Sequence, residues 1–333
     1  MKRLGQAWMR YWFTPASLFN LAVARVLIVA TELYHLPSDP REKFQGLDAL
    51  PTALYDPLPV LHVLVAPLGW TYRPGVEMLE AIYWIVVVSG VAALIGLLTN
   101  VSLVLFAWGS IFLQSYEYSF GEFHHPEAPM MIALVVLALS PAGAALSLDA
   151  WRKRRSGHVE GILRIGDTSP FARWPLLVIQ WVLALVYLSA AYHKMRVAGL
   201  DWLNGYTLQN YILQDATRWD AAIGLWIGQY YWLILVMSWI SFLWESTFFL
   251  ILLFPALVWI YVPLGIGFHT GTWVTMRAGF YQMVGLYAAA IPWEAVYVRL
   301  LRRRKAGSRE ERAGVVKSDA QMQPERLTQS SSP

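Results

Sequence analysis

Read for its apolar positions, the chain alternates between long apolar runs and short polar or proline-rich breaks. The runs are near the roughly 20 residues that a helix needs to cross the hydrocarbon core of a bilayer. Eight of them predict spanning helices, over residues 18–36, 76–98, 101–118, 129–148, 174–197, 221–241, 244–262 and 265–293. The last is long for one span and contains Gly279, where it could break. The expected fold is an all-α integral membrane protein, a bundle of about eight transmembrane helices with irregular loops on the non-cytoplasmic side. Helices suit this pattern because lipid offers backbone N–H and C=O groups no other partner. No fixed-period repeat stands out.

The polar breaks orient the bundle. Lys2, Arg3 and Arg10 mix with Trp8, Tyr11, Trp12 and Phe13 in an N-terminal segment, 1–17, that reads as interfacial. Arg152-Lys153-Arg154-Arg155 follows the fourth run, and Arg302-Arg303-Arg304-Lys305 follows the last. With eight spans all three clusters fall on one side, which the positive-inside rule makes cytoplasmic. A transmembrane domain over 18–297 and a basic tail over 298–333, polar and expected to be disordered, complete the division. The opposite side receives 37–75, with Pro37, Pro40, Pro51, Pro57, Pro59 and Pro67, together with 116–128 and 198–220.

Composition agrees. Hydrophobic residues make up 57% of the 333 and charged residues 14%, against about a quarter charged in a soluble domain. The 17 Trp and 17 Tyr suit repeated membrane–water boundaries. The absence of cysteine excludes disulfides, thiolate nucleophiles and zinc–thiolate or iron–sulfur sites. The net charge of +4 is clustered, so it reports topology. The expected partner is a lipid bilayer, with no nucleic acid.

Ionisable residues inside lipid are costly and mark candidate sites. Arg25 and Glu32 share a face of the first run and are expected to form an internal ion pair, with Glu80 of the second nearby. His124-His125, beside acidic Glu117 and Glu122, is either a polar loop or a metal or proton-transfer pair. His193-Lys194 ends the fifth run, before Asp201-Trp202-Leu203-Asn204-Gly205. Lys194 is either a snorkelling anchor or a base. Glu245 heads the seventh run near the cytoplasmic side, as a cap or a pair. His269, Trp273, Arg277 and Phe280 share one face of the eighth, and Arg277 there requires a partner or an anionic ligand. On this topology His124, His125, His193, Lys194 and His269 all lie at non-cytoplasmic ends, a convergence expected of a membrane-embedded site. No metal ligands are assigned.

Val186-Tyr187-Leu188-Ser189-Ala190-Ala191-Tyr192-His193-Lys194-Met195 followed by Asp201-Trp202-Leu203-Asn204-Gly205 resembles the HTTM family, bacterial relatives of the vitamin K-dependent gamma-carboxylase. Gly96-Leu97-Leu98-Thr99, His124-His125, Pro141-Ala142-Gly143, Ser147-Leu148-Asp149-Ala150, Glu245 and His269 match in order, so the resemblance covers about residues 10–297. It implies a bacterial inner-membrane protein acting on a reduced, vitamin K-like quinone. Hydroquinone deprotonation and oxygenation to an epoxide would couple to carboxylation of a peptide or small-molecule acceptor. Lys194 would be the base and His125 its support; His124, His193, Trp202 and His269 are expected around the substrate, as is Arg277, which has no role assigned from the family. The family's Lys-Lys pair reads His193-Lys194 here. The carboxylase's large luminal region has no counterpart in the sequence, so propeptide-directed carboxylation is not expected. Two other classes fit the same residues: a non-enzymatic haem- or metal-binding redox module, and a transporter. Both termini are expected to be cytoplasmic. Topology reporters fused after residue 160 and at the C-terminus should both read cytoplasm; an exported signal from either rules out the eight-span arrangement.

Overall fold

Prolines, glycines and left-handed residues cut the apolar runs at places that hydropathy does not mark. In the computed structural model, which describes residues 2–65, 73–121, 127–158 and 161–304, nearly all regular structure is helical. Helix α1 (Lys2–Phe13) is amphipathic. It leads through β1 (Ala16–Ser17) into α2 (Leu18–His35), whose cap is the Ser17 hydroxyl, accepting from the Asn20 amide at 3.3 Å. The proline-rich excursion holds α3 (Pro40–Asp48) and α4 (Pro59–Val65). Then come α5 (Val76–Ile95), α6 (Thr99–Tyr118), α7 (Glu127–Ala138) and α8 (Leu148–Arg155). The two-residue β2 (Thr168–Ser169) pairs antiparallel with β1, Ala16 opposite Ser169. Helices α9 (Arg173–Ala198), α10 (Tyr206–Arg218), α11 (Ala222–Ile227), α12 (Tyr231–Thr247), α13 (Val258–Met276) and α14 (Tyr281–Leu286) follow. These belong to one unit, Met1–Ile291; a second, Pro292–Pro333, contains the helix α15 (Trp293–Arg304). Of the expected disordered tail over 298–333, residues 298–304 belong to α15, and the rest lies outside the described residues, as does the pair His124-His125.

The chain is an all-α membrane protein, but the helix lengths do not give the expected eight spans. Among the described residues four helical stretches are long and apolar enough to cross: Leu18–His35, Val76–Ile95, Pro170–Asn204 and Tyr231–Leu252. A fifth arises if Tyr281–Ala289 and Trp293–Arg304 are one broken span. The fourth expected run stops at Ala138 because Pro141 cannot continue a helix, which leaves α7 with 12 residues. The sixth and seventh are recut: α12 runs through the expected boundary at 242–243, and the break falls at Pro255 instead. The eighth is two helices. Arg277 takes the left-handed conformation (φ 56°) and ends α13, four residues before α14 begins.

Helices α5, α6 and α7 pack in sequence order; α2 lies against α5, α7 and α14, and α9 against α7 and α12. Arg25 of α2 is fully buried. Its Nη1 donates to the Ala142 carbonyl at 2.9 Å and its Nη2 to the Leu146 carbonyl at 2.6 Å. Both carbonyls belong to the non-helical chain after Pro141, which lacks intrahelical donors. Asp149, from the start of α8, accepts from the amides of Leu98 and Thr99 (3.1 and 2.7 Å) and from the Thr99 hydroxyl (2.7 Å). It therefore caps α6 from another helix, at that helix's positive end. Gly96 must be glycine twice over: its φ is +74°, and a Cβ would overlap Ser147.

Burial raises the Asp149 carboxyl, but hydrogen bonds from Thr99 and Leu98 outweigh it and hold the group below its ordinary 3.8. A carboxyl lowered on folding stabilises the fold above its ordinary pKa, and that contribution disappears as pH falls through the folded value. Asp149→Ala removes the cap and should cost about 0.5–2 kcal/mol at neutral pH. In thermal melts the gap from wild type should narrow below pH 3.8. An unchanged melting point at neutral pH would show that the cap is dispensable.

Candidate functional site

Tyr187 and Lys194 stand two turns apart on one face of α9. Lys194 Nζ makes an ion pair with Glu245 Oε2 of α12; the side chains are 17% and 5% exposed. Glu245 is thus no head of a cytoplasmic-side span, as the sequence suggested. Because α12 runs from Tyr231 to Thr247, Glu245 lies in its last turn. Trp202 covers the pair, with its ring centroid 4.9 Å from Lys194 Nζ. The turn that carries Trp202 is fixed to α12 through the backbone. The Ser238 hydroxyl donates to the Trp202 carbonyl (2.8 Å) and the Tyr231 hydroxyl to the Asn204 carbonyl (3.0 Å). Gly205, at φ +82°, brings the chain so close that a Cβ would lie 3.0 Å from Leu235 Cα. The indole Nε1 of Trp202 is buried without a hydrogen-bond partner among the described residues.

One layer deeper, the Tyr187 hydroxyl bonds His269 Nε2 (2.9 Å) and the Tyr287 hydroxyl (2.6 Å), joining α9, α13 and the turn after α14. Trp244 and Phe248 pack on Tyr187 with centroids at 4.5 and 4.7 Å, and Phe280 packs on His269 at 5.4 Å. Gly265 makes room for this cluster, since a Cβ there would overlap the Tyr287 hydroxyl and approach Trp244 to 2.7 Å. His269 Nδ1 is buried and has no partner among the described residues. Tyr187 and Tyr287 were not singled out from the sequence. Their hydroxyls look like any interfacial tyrosine until the fold places them inside.

The remaining expected residues divide. Lys194, Trp202 and His269 come together on or beside this network. His193 does not: it is exposed, edge-on to Tyr192 at 5.8 Å, because successive residues of a helix face different directions. Arg277 is exposed with its guanidinium 5.2 Å from the Trp273 ring. The Arg25–Glu32 pair is a correction. Two turns separate these residues by about 10 Å along the helix, and Arg25 is taken by the carbonyls described above. Glu80 pairs with Arg41 at 3.7 Å.

Glu32 instead lines a cavity of about 680 Å³ with His35, Glu117, Glu127, Arg277 and Phe280. Glu127 accepts from the Tyr118 hydroxyl at 2.8 Å and lies 3.7 Å from His35. The sequence carried half of this signal, for Glu32 and His35 are three apart on one helical face. Glu127 escaped notice because it closes a loop whose His pair drew the attention. Among the described residues no three His, Cys, Asp or Glu are placed to hold a metal ion.

A family model for the HTTM domain matches residues 13–294. The chain belongs to the HTTM family. No curated protein and no solved structure matches it. HTTM proteins are linked to vitamin K-dependent carboxylase-like proteins, and the match takes in both the Lys194 network and the cavity. In this HTTM protein Lys194→Met alone strands a buried carboxylate, which typically costs about 3–5 kcal/mol. Glu245→Gln alone leaves a partly exposed cation and should cost less. The double variant should recover most of the melting temperature; strictly additive losses would show that the two residues do not act as a pair.

Proposed function

We propose that this HTTM protein is a vitamin K-dependent carboxylase-like enzyme that deprotonates a reduced quinone at Lys194. The proposal extends to carboxylation of a peptide or small-molecule acceptor, for which family membership is the support. One observation carries the reading: Lys194 is held by one buried carboxylate, beneath an indole whose N–H has no partner among the described residues. That donor set fits an oxygen-bearing ring, which can accept from Trp202 Nε1 while resting against the indole and Lys194. When bound, the reduced quinone supplies an ionisable hydroxyl and, once ionised, the electrons that reduce oxygen.

The residues divide the work. An ammonium cannot accept a proton, so Lys194 must first yield one, and Glu245 is the group positioned to take it. In a low-dielectric interior the neutral amine–acid form of such a pair comes close in energy to the ionic form. The amine then takes the hydroxyl proton and becomes the ammonium again. Its positive charge, together with the Trp202 N–H, stabilises the negative charge that develops opposite. Tyr187, Tyr287 and His269 hold α9 to α13 and keep water from the pair. The basic clusters support a setting in a bacterial inner membrane with both termini cytoplasmic and the Lys194 end of α9 on the opposite side.

The test is oxygen consumption with a reduced vitamin K-type quinone. Lys194→Arg keeps the charge and the carboxylate partner but never provides a neutral amine. Its rate should fall at least about 100-fold, the lower end of what a general base contributes, while its melting temperature stays near wild type. Full activity in Lys194→Arg removes Lys194 as the base and leaves it an anchor.

A further inference from the structure

The cavity beside α2 is built from separate elements: Glu32 and His35 from α2, Ser110 and Glu117 from α6, Glu127 from α7, and the break between α13 and α14. At about 680 Å³ it is within the range of small-molecule sites, roughly 300–1,000 Å³. Its charges are unevenly satisfied. Lys43 Nζ is 2.7 Å from Glu117. His35 faces Glu127, which also takes the Tyr118 hydroxyl. Arg277 turns onto Trp273 and meets no carboxylate among the described residues. Glu32 is left over. It is 4% exposed, and its Oε2 has no hydrogen-bond partner among the described residues; nor has Ser110 Oγ. A buried carboxyl oxygen left bare costs about 1–3 kcal/mol or more; of the cations lining the cavity, Lys43 is engaged with Glu117, His35 is engaged with Glu127 and Arg277 is turned onto Trp273.

We infer that this cavity binds a small organic cation, an ammonium group on a short apolar body, with Glu32 as its principal partner. The ammonium supplies the donor and the charge that Glu32 lacks. Leu36, Phe44, Leu113 and Phe280 line the same space and take the apolar body. A bare metal ion is a poorer occupant, since among the described residues no three ligating side chains converge. The proposal is independent of the Lys194 chemistry. The Phe280 ring, which packs on His269 at 5.4 Å, stands between the cavity and that network.

Binding can be followed by calorimetry on the full chain in non-ionic detergent, with benzylammonium, benzyl alcohol and benzoate as probes of one shape and three charges. Benzylammonium should bind at neutral pH, and the other two at least about tenfold more weakly. Glu32→Gln should weaken benzylammonium by a similar factor, with a thermal melt confirming the fold. If that variant does not fold, Leu113→Trp serves in its place. It fills the cavity and leaves every charge intact, so it should abolish binding. Equal binding of the alcohol, preference for benzoate, no saturable binding of benzylammonium, or full binding in either folded variant overturns the proposal.

Discussion

The structure depends on one buried guanidinium. Pro141 ends α7 early and leaves a stretch of non-helical chain, with carbonyls to satisfy, packed against three helices. Arg25 satisfies two of them, Ala142 and Leu146, from inside α2. An unsatisfied carbonyl there would be costly, and a buried arginine without acceptors costlier still. Each answers most of the need of the other, with Arg25 Nε left without a hydrogen-bond partner among the described residues. Asp149 completes the arrangement by capping α6 from the next helix. The middle of α2, the α5–α6 turn and the α7–α8 connection thus form a single polar knot. The far end of the same α2 carries Glu32 and His35, so the knot sets where the cavity wall stands.

Two polar assemblies lie on this frame, and they differ in what remains unsatisfied. At Lys194 the charges are matched, and the orphans are the N–H of Trp202 and one nitrogen of His269. In the cavity the orphans among the described residues are a Glu32 carboxyl oxygen and the Ser110 hydroxyl. The first arrangement suits an oxygen-bearing ligand, the second a donor. Aromatic rings do the spacing in both. Tyr187 is enclosed by Trp244, Phe248, His269 and Tyr287.

Much of this was legible in the sequence, and the failures have physical causes. The apolar runs located most helices, because hydropathy reports burial in lipid directly. It does not report where the backbone changes direction. The short α7, the recut at Pro255 and the left-handed Arg277 were therefore misplaced or left open. The Gly96-Leu97-Leu98-Thr99 and Ser147-Leu148-Asp149-Ala150 stretches pointed to the family and meet in space, yet their work is structural: one caps a helix and the other gives way to it. Lys194 and Trp202 were readable because helix and turn are adjacent in sequence. The partnership of Lys194 with Glu245, 51 residues away, was not, since only the packing of α12 on α9 creates it. The pairing of Arg25 with Glu32 failed on helical rise alone.

Phe280 gives the two assemblies an unusual relation. Its ring is in contact with His269 on one side and faces the cavity on the other. It belongs to the short linker between α13 and α14, a few residues from the left-handed Arg277. A partition made of one side chain is opened by torsion about that side chain, while every helix stays in place. Side-chain rotation is intrinsically faster than collective helix movement. A turn of the Phe280 side chain therefore alters the cavity wall and the packing on His269 together, and its linker can change without disturbing the Arg25 knot.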